Sequence, residues 1–441
     1  MIAGSVIAAL TAGLFVMFSL FVSPIEPRFI YTVKIDCINV YTVRSMTDPW
    51  MTSEAAVQRL GVKPETLYAY VSRGVIQSER IPGSRRSRFL RADVERLAAR
   101  QRGGGGRAGG LEVIIETDLT LLDPAGSLAY RGWDVVDAVA DATFEEVASW
   151  LWHGTRERVS FEAPPAMIDI AGRVRRAIAD QPVMDQLRAA IAAVRHTDPF
   201  RDDRRPEAVA GAGRAIITTL IETLPLVGAP APAKASIAAR LWPRISSQPP
   251  KPRLVKVLDA TLVLLADHEM AASTLAARVA ASTWADPYLV ELAGLATLGG
   301  PLHGAASSAS RQMMREAIGS SPAEAIGARL RENQLIPGFG HRVYKTHDPR
   351  AAILLEMLAA VRREPVEEEL MLIMRERGLP FPNIDFAIAA FAERYDMIDN
   401  AGEVIFAIAR TAGWLAHAIE EYRYRLRFRP RAIYTGVALA D

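Results

Sequence analysis

Two histidines in glycine-rich segments have the setting that most strongly indicates chemistry in this chain. His303 lies in Gly-Gly-Pro-Leu-His-Gly, residues 299–304, and His341 lies in Pro-Gly-Phe-Gly-His-Arg-Val-Tyr-Lys, residues 337–345. Glycine lets the backbone approach a ligand closely, and histidine is the side chain that titrates nearest to neutral pH. Either histidine alone could simply cap a helix terminus. Two such loops in one chain favour a shared reactive site.

An acid, a third histidine and several arginines accompany these loops. Asp385 follows Pro-Asn-Ile in an apolar setting, and His268 lies in Ala-Asp-His-Glu within a helical pattern. Arg350, Arg410 and Arg429 occur in Asp-Pro-Arg, Ala-Arg-Thr-Ala-Gly-Trp and Arg-Pro-Arg. Together such groups could remove a carbon-bound proton, stabilise an enolate and hold a polycarboxylate. The structural alternatives are a first-turn carboxylate for Asp385 and surface ion pairs for the arginines.

The segments that carry these residues are embedded in a body whose hydrophobic pattern is helical. Apolar residues recur at three- and four-residue spacing from Thr143 to Tyr422, which predicts an all-α globule of a dozen or more helices. Strand-like alternation is almost absent beyond a short run at 111–116, and residues 129–134 are expected to form a turn. The predicted helices are 143–151, 166–179, 184–193, 208–222, 254–267, 271–283, 305–317, 322–333, 351–361, 366–377, 383–394 and 404–422.

Composition excludes several classes of protein. The 441 residues are 50% hydrophobic and 23% charged, which is ordinary for globular domains and excludes disorder and collagen. Cys37 is the single cysteine, so an intrachain disulfide and a cysteine-based zinc site are impossible, and a reducing compartment is indicated. With seven histidines in the chain, we expect no metal site.

Charge is distributed unevenly along the chain. The net charge is +2, yet residues 51–110 hold 12 Lys or Arg against 5 Asp or Glu, so the body after residue 110 is acidic. This asymmetry predicts a small basic module that could meet phosphate, joined to a larger acidic body.

Residues 46–100 have the pattern of a small helix-turn-helix domain. Ser53 can cap a first helix, Gly61 permits a turn, Pro64 suits the start of a second helix, and 92–100 reads as a third. The residues expected to face inward are Ala56, Val57, Leu60, Leu67, Tyr70 and Val71. Over about fifty residues this stretch resembles the winged helix-turn-helix of the MerR and excisionase type.

A basic wing accompanies this pattern. The arginines that could neutralise nucleic-acid phosphates are Arg73, Arg85, Arg86 and Arg88. The alternative is a helical interaction domain whose arginines are only solvated. The glycine-rich residues 101–110 are expected to be a flexible linker between this domain and the body.

The first 45 residues allow more than one interpretation. Residues 1–25 carry no charge and are long enough to span a bilayer, but no basic residue precedes the apolar run, as a secretory signal would require. We expect a start assigned too far upstream, with Met46 or Met51 as the true first residue. A membrane anchor and a peripheral segment are the alternatives, and a cytoplasmic location is the expected one.

Residues 111–441 resemble the citrate synthase family over nearly their whole length. The motifs occur in family order: Tyr-Arg-Gly-Trp-Asp from residue 130, Trp-His-Gly from 152, Ala-Asp-His-Glu from 266, Gly-Pro-Leu-His-Gly from 300, the 337–345 segment, and Arg-Thr-Ala-Gly-Trp-Leu-Ala-His from 410. The resemblance implies a two-lobed helical body, with a small lobe inserted at roughly 300–405, that follows the small winged domain. It also implies a homodimer that closes over oxaloacetate to create the acetyl-CoA site.

The resemblance also implies a role for each site residue. Asp385 would remove a methyl proton from acetyl-CoA, His303 would stabilise the enol or enolate, and His341 would polarise the ketone of oxaloacetate. The residues implied to orient the carboxylates are His268, Arg350, Arg410 and, from the partner subunit, Arg429. Those expected to lie along coenzyme A are Pro337, Gly338, Phe339, Gly340 and Lys345. No permanently bound cofactor is implied; acetyl-CoA is a co-substrate.

Several positions depart from the usual family pattern. Alanine stands at position 271, where many members have asparagine, and Ala305-Ala306-Ser307 replaces Gly-Ala-Asn. After Phe386 the usual Tyr or Ser and Gly positions read Ala-Ile-Ala, residues 387–389. These changes predict slower turnover or a different keto acid. A 2-methylcitrate synthase that uses propionyl-CoA and a metabolite-sensing DNA-binding regulator therefore stay open as alternatives.

Overall fold

The computed structural model describes residues 50–81, 86–102, 114–300, 304 and 306–429. The chain divides into two compact units, Met1–Ile115 and Glu116–Asp441. The apolar segment predicted over residues 1–45 and linker residues 103–110 lie outside the described residues.

The described part of the first unit contains three helices and a three-stranded antiparallel sheet. The elements are β1 (Trp50–Thr52), α1 (Ser53–Leu60), α2 (Pro64–Ser72), β2 (Ser78–Arg80), β3 (Ser87–Leu90) and α3 (Arg91–Arg102). Strand β3 lies between β1 and β2, with Met51 opposite Phe89 and Glu79 opposite Arg88. The hydrophobic core of this first unit contains Ala56, Leu60, Leu67, Ile76, Phe89 and Val94.

Local residues explain why the first two helices begin and end where they do. The Thr52 side chain accepts a hydrogen bond from the Ala55 amide at 3.2 Å, so Thr52 is the N-cap, and the expectation that Ser53 caps the helix is wrong. Gly61 ends α1 in the left-handed conformation with φ of 64°, which glycine adopts without a Cβ clash. Pro64 opens α2 because its missing N–H is not needed at the first helical position.

The described body contains fifteen helices. They are α4 (Val135–Asp141), α5 (Phe144–His153), α6 (Pro165–Ala177), α7 (Val183–Val194), α8 (Pro206–Thr223), α9 (Ile237–Ile245), α10 (Pro252–Leu265), α11 (Ala272–Ser282), α12 (Pro287–Leu298), α13 (Ala306–Gly319), α14 (Pro322–Arg331), α15 (Pro349–Val361), α16 (Pro365–Glu376), α17 (Ile384–Arg394) and α18 (Ala401–Glu421). Many begin with proline or follow a capping side chain, which accounts for the good agreement with the predicted helix positions.

A small sheet precedes the body helices and was not predicted. Strands β4 (Thr120–Asp123), β5 (Ser127–Tyr130) and β6 (Trp133–Asp134) pair antiparallel in that order. Arg131 and Gly132 form the tight turn between β5 and β6 with φ of 47° and 78°. The turn predicted over residues 129–134 therefore contains only these two residues, and the flanking ones belong to the strands. The strand predicted at 111–116 is absent over 114–116, the part that the structure describes.

Helix α18 lies at the centre of the body and is buried along nearly its whole length. It packs against α5, α8, α10, α11 and α12. Trp414 reaches α12 where Gly294 leaves room for the indole ring, and Trp152 donates from its indole nitrogen to the Ala412 carbonyl at 2.9 Å. Because other helices of the body surround α18, Arg410 on this helix is buried.

None of the described helices is both long enough and apolar enough to cross a membrane.

Candidate active site

The His341 loop is held against the segment that precedes α17. The Gly340 amide donates to the Phe381 carbonyl at 2.7 Å, and the Asn383 amide donates to the Gly338 carbonyl at 2.9 Å. Both glycines have positive φ, 81° and 80°, and a Cβ at position 338 would overlap Ser310 and Phe386. The glycines of this motif therefore allow a close backbone approach between the loop and the start of α17.

The His341 ring is fixed as a neutral hydrogen-bond donor. Its Nδ1 accepts hydrogen bonds from the backbone amides of Val343 at 3.1 Å and Tyr344 at 3.2 Å, so the ring proton lies on Nε2. Burial and the nearby Arg350 guanidinium lower the pKa of His341 to about 4. At neutral pH the ring therefore presents an N–H without carrying a full positive charge.

His268 lies beside His341. It follows the end of α10 and is buried, with its ring centroid 5.2 Å from that of His341. Its Nε2 lies 3.3 Å from the Tyr344 hydroxyl. Burial, followed by the charges of Arg350 and Arg410, holds the pKa of His268 well below its usual range. The structure thus brings two neutral histidines and two cations together.

Arg350 is the second residue of α15 and is buried with a counter-ion. Asp348 caps this helix, and its carboxylate lies 2.8 Å from Arg350 Nη2. Burial alone would lower the pKa of Arg350, but the charge and hydrogen bonds of Asp348, together with the nearby Tyr344 and Tyr130, raise it overall. Arg350 Nη2 lies 3.5 Å from His341 Nε2; because both atoms are donors, this contact leaves the imidazole N–H available to a ligand.

Arg410 is the second buried cation. Its Nε donates to the Leu265 carbonyl at 2.9 Å, and its guanidinium lies 4.5 Å from the centre of the Phe406 ring. Nη2 is buried and has no hydrogen-bond partner within the described structure. Burial lowers the pKa of Arg410 to about 10, an effect that the Asp267 charge opposes. A buried guanidinium with an unused donor suits a substrate carboxylate.

Asp385 lies in the first turn of α17, beside the His341 loop. The Asn383 side chain caps this helix and accepts a hydrogen bond from the Asp385 amide at 3.0 Å. Burial raises the pKa of Asp385 to about 6, and the Arg350 charge opposes that rise. Asp385 does occupy the first helical turn, as the structural alternative states. Its half-buried carboxyl also has the pKa of a general base that works near neutrality.

The other predicted site residues are distributed as follows. His303 lies outside the described residues, so it is not part of this geometry. Phe339 packs with its ring 4.9 Å from Phe386. Lys345 donates from its backbone to the Pro124 carbonyl at 3.1 Å and from Nζ to the Arg342 carbonyl.

Arg429 is exposed and follows the end of α18 in the chain. The positions that depart from the family pattern are structural here: Ala387, Ile388 and Ala389 are buried in α17, and Ala271 precedes α11. The side chains of residues 387–389 are part of the hydrophobic core on the Asp385 helix.

Sequence reasoning did not single out two residues that connect the site. Asp348 binds Arg350 and also accepts from the Ile384 amide at 3.0 Å. Asn383 caps α17 and also donates from Nδ2 to the Gly340 carbonyl at 2.9 Å. A signal was present for both, since Asp-Pro and Asn before a helical run are capping patterns.

The predicted nucleic-acid arginines have different settings. Arg73 is the exposed C-cap of α2, and Arg86 is exposed just before β3. Arg88 is paired with Glu79 and lies with its guanidinium 5.6 Å from the centre of the Trp50 ring, so part of its role is structural. Arg85 lies outside the described residues.

Comparisons with known proteins give two family matches. The family described as "Citrate synthase, C-terminal domain" matches residues 110–431, and the family described as "Helix-turn-helix domain" matches residues 50–102.

Individual relatives agree with the larger match. The chain is 31% identical to the citrate synthase of Haloferax volcanii, a match that covers 74% of this chain and 95% of that protein. It is 28% identical to the 2-methylcitrate synthase of Shewanella oneidensis, covering 73% of this chain and 92% of that protein. A solved ternary complex of carboxymethyl coenzyme A and oxaloacetate with citrate synthase from Thermoplasma acidophilum superposes with a TM-score of 0.61 and 27% identity, covering 75% of this chain and 95% of that chain.

Proposed function

The chain belongs to the citrate synthase family, and we propose that it condenses acetyl-CoA with oxaloacetate and water to give citrate and coenzyme A. An enzyme of this type is an acyltransferase that converts the acyl group into an alkyl group on transfer. It takes acetyl-CoA as a co-substrate and has no permanently bound cofactor. The observation that carries the proposal is a group made of two buried cations, a neutral imidazole donor and a carboxylate of raised pKa.

Asp385 is the proposed base. It takes a proton from the methyl carbon of acetyl-CoA, the C–H electron pair moves into an enolate, and negative charge develops on the thioester oxygen. Its pKa of about 6 leaves it ionised at neutral pH but more basic than an exposed aspartate. His303 is proposed to donate a hydrogen bond to that oxygen, on the strength of its motif alone.

His341 is the proposed electrophile for the second substrate. Its Nε2–H is proposed to donate a hydrogen bond to the ketone oxygen of oxaloacetate, because Nδ1 already accepts from two backbone amides. The enolate carbon bonds to the ketone carbon, and the ketone oxygen takes the Nε2 proton of His341 as it becomes the alcohol of citryl-CoA. The proton that Asp385 accepted is released to solvent, and His341 regains one from solvent. Water then cleaves the thioester and releases coenzyme A. A neutral donor gains most from the charge that develops in the transition state.

Arg350, Arg410 and His268 are proposed to hold the carboxylates of oxaloacetate. Both guanidinium groups are buried, so a dianionic ligand would meet them in a low-dielectric setting where charge-assisted hydrogen bonds are strong. Fixed carboxylates also orient the ketone toward the enolate.

Further features are proposed from the family alone. They are a homodimer, Arg429 supplied to the partner's site, a small lobe at roughly 300–405, and coenzyme A along residues 337–345. The exposure of Arg429 beyond α18 is compatible with a role outside its own subunit. A cytoplasmic location is supported by the single cysteine.

Release of the coenzyme A thiol tests the reaction directly. The full chain is mixed with oxaloacetate and either acetyl-CoA or propionyl-CoA, beside an Asp385→Ala variant. Release that requires both substrates and is lost in the variant supports the proposal. A preference for propionyl-CoA would favour the 2-methylcitrate alternative. Both thioesters must be tested side by side, because one methylene changes the rate ratio only modestly.

A regulator built on the same body is a second candidate function. The helix-turn-helix domain at residues 50–102 supports it, together with the exposed Arg73 and Arg86 beside α2 and β3. A gel shift of the full chain on genomic DNA fragments, with and without oxaloacetate and acetyl-CoA, tests it. Binding that weakens in Arg73→Ala and loses part of its salt dependence would support phosphate contact, and a ligand effect would support sensing. No shift at low salt would argue against DNA binding.

A further inference from the structure

The Asn383 side chain is hydrogen-bonded to both halves of the proposed site. Its Oδ1 accepts from the backbone amides of Asp385 at 3.0 Å and Phe386 at 3.3 Å, which caps α17. Its Nδ2 donates to the Gly340 carbonyl at 2.9 Å, 43 residues earlier in the chain. One amide group thus joins the helix of the base to the residue that precedes the electrophile.

The hydrogen bond from Asn383 to the Gly340 carbonyl fixes the plane of the peptide between Gly340 and His341. Within the described structure, no other hydrogen bond holds this carbonyl from the α17 side. Backbone hydrogen bonds between the two segments use the Gly340 amide and the Gly338 carbonyl, and leave the Gly340 carbonyl to Asn383. That carbonyl belongs to the peptide that enters His341. Since Gly340 has φ of 80°, its backbone is free to rotate in ways that other residues are not.

We propose that Asn383 is a positioning residue that sets His341 against Asp385 for carbon–carbon bond formation. The inference rests on the proposed function, in which the enolate made by Asp385 attacks the ketone held by His341. The ring of His341 is oriented by two amides of its own loop, so the loop moves as a unit. Asn383 determines where that unit lies relative to α17.

Asparagine has the combination of groups that this position uses. Serine caps a helix as well as asparagine but is too short to keep the Gly340 contact as well. Aspartate keeps the cap and the length but has no donor when ionised. Asn383→Ser therefore removes the connection and spares the helix cap.

The experiment compares two steps of one reaction. Proton removal is followed as deuterium entry into the acetyl-CoA methyl group in D₂O, with malate replacing oxaloacetate because its alcohol carbon cannot be attacked. Condensation is followed as thiol release with oxaloacetate. The carbonyl ¹³C shift of bound [2-¹³C]oxaloacetate reports directly on how strongly the ketone is polarised. Ser321→Ala, which removes the side-chain cap of α14, is the matched control for a general loss of stability.

For Asn383→Ser we expect condensation kcat to fall by about tenfold to a hundredfold, as a small displacement of a catalytic group does. Deuterium exchange should fall by much less, and the carbonyl shift should move toward that of free oxaloacetate. Ser321→Ala should leave both rates and the shift unchanged.

Equal losses of exchange and condensation, or an unchanged carbonyl shift, would overturn the inference. A wild-type protein that releases no thiol would instead contradict the proposed function, so the two failures are distinguishable.

Discussion

The carboxylate of Asp348 lies 2.8 Å from the guanidinium of Arg350, and both side chains are buried. The same carboxylate accepts a 3.0 Å hydrogen bond from the amide of Ile384, the residue before Asp385. A single acid therefore neutralises a proposed substrate-binding cation and anchors the start of the helix that carries the proposed base. The charge balance of Arg350 and the position of Asp385 therefore both depend on Asp348.

Asp348→Asn should be costly for both stability and activity. It leaves Arg350 as a buried cation without its counter-ion, which costs on the order of 3 kcal/mol of unfolding free energy. It also weakens the anchor on the Ile384 amide, so kcat should fall by at least about tenfold if α17 shifts slightly. Chemical denaturation and thiol-release kinetics measure the two effects.

The control is an exposed ion pair of similar length. Asp399 lies 3.1 Å from Arg315, and its side chain is 87% exposed. Asp399→Asn should cost less than about 1 kcal/mol and leave kcat unchanged. If Asp348→Asn loses no more stability than Asp399→Asn, the Arg350 charge is still compensated in the variant, and the prediction is wrong.

The pH dependence of the reaction should follow Asp385 on the acid side. The base must be ionised, and burial raises its pKa to about 6. We therefore expect kcat/KM to be constant near pH 8 and to fall tenfold per pH unit well below pH 6. His341 does not add a second limb in this range, because its pKa of about 4 keeps it neutral. Rates that stay constant down to pH 5 in a still-folded enzyme would contradict the assignment of the base.

The helical body could be predicted from the sequence because its signals are local. Spacing of apolar residues, prolines at helix starts and capping side chains all act within one or two turns. The strands β4 to β6 were missed because they are only two to four residues long, too short for alternation to be visible. The cap of α1 was misplaced by one residue because Thr52 and Ser53 are both good caps.

The candidate site could be predicted only in part. His268, His341, Arg350, Arg410 and Asp385 were singled out by their motifs, and the structure places the two histidines and the two arginines close to one another, with Asp385 beside the His341 loop. Their roles stay predictions. Asp348 and Asn383 were overlooked because their importance comes from partners 36 and 43 residues away along the chain. Such contacts depend on packing and leave no periodic trace.

A buried polar network supports the His268 segment. Arg278 donates from Nη1 to His417 Nδ1 at 2.8 Å and from Nε to Glu421 at 2.9 Å. His417 must then carry its proton on Nε2, which lies 3.3 Å from a carboxylate oxygen of Asp267. His417→Leu removes this bridge and should cost about 2–3 kcal/mol of stability. Because Asp267 precedes His268, KM for oxaloacetate should also rise.

Glu367 offers the comparison for that variant. Its carboxylate binds the buried Arg394 and none of the predicted site residues within the described structure. Glu367→Gln should lower stability similarly and leave KM unchanged. If both variants raise KM by the same factor, the effect of His417→Leu comes from the general loss of stability and not from the Asp267 contact.

Asp385→Asn should remove activity and at the same time stabilise the protein. A raised pKa means that the folded state holds this proton more tightly than the unfolded chain, so stability decreases as pH rises from about 4 to about 6 and stays reduced above. The shift corresponds to a cost of at most about 3 kcal/mol at pH 8, which the neutral amide avoids. Denaturation at pH 8 should therefore show the variant to be more stable, and the difference should vanish near pH 4. A variant that is less stable at pH 8 would show that the Asp385 carboxylate is held by favourable contacts, and the basis for its raised pKa would be lost.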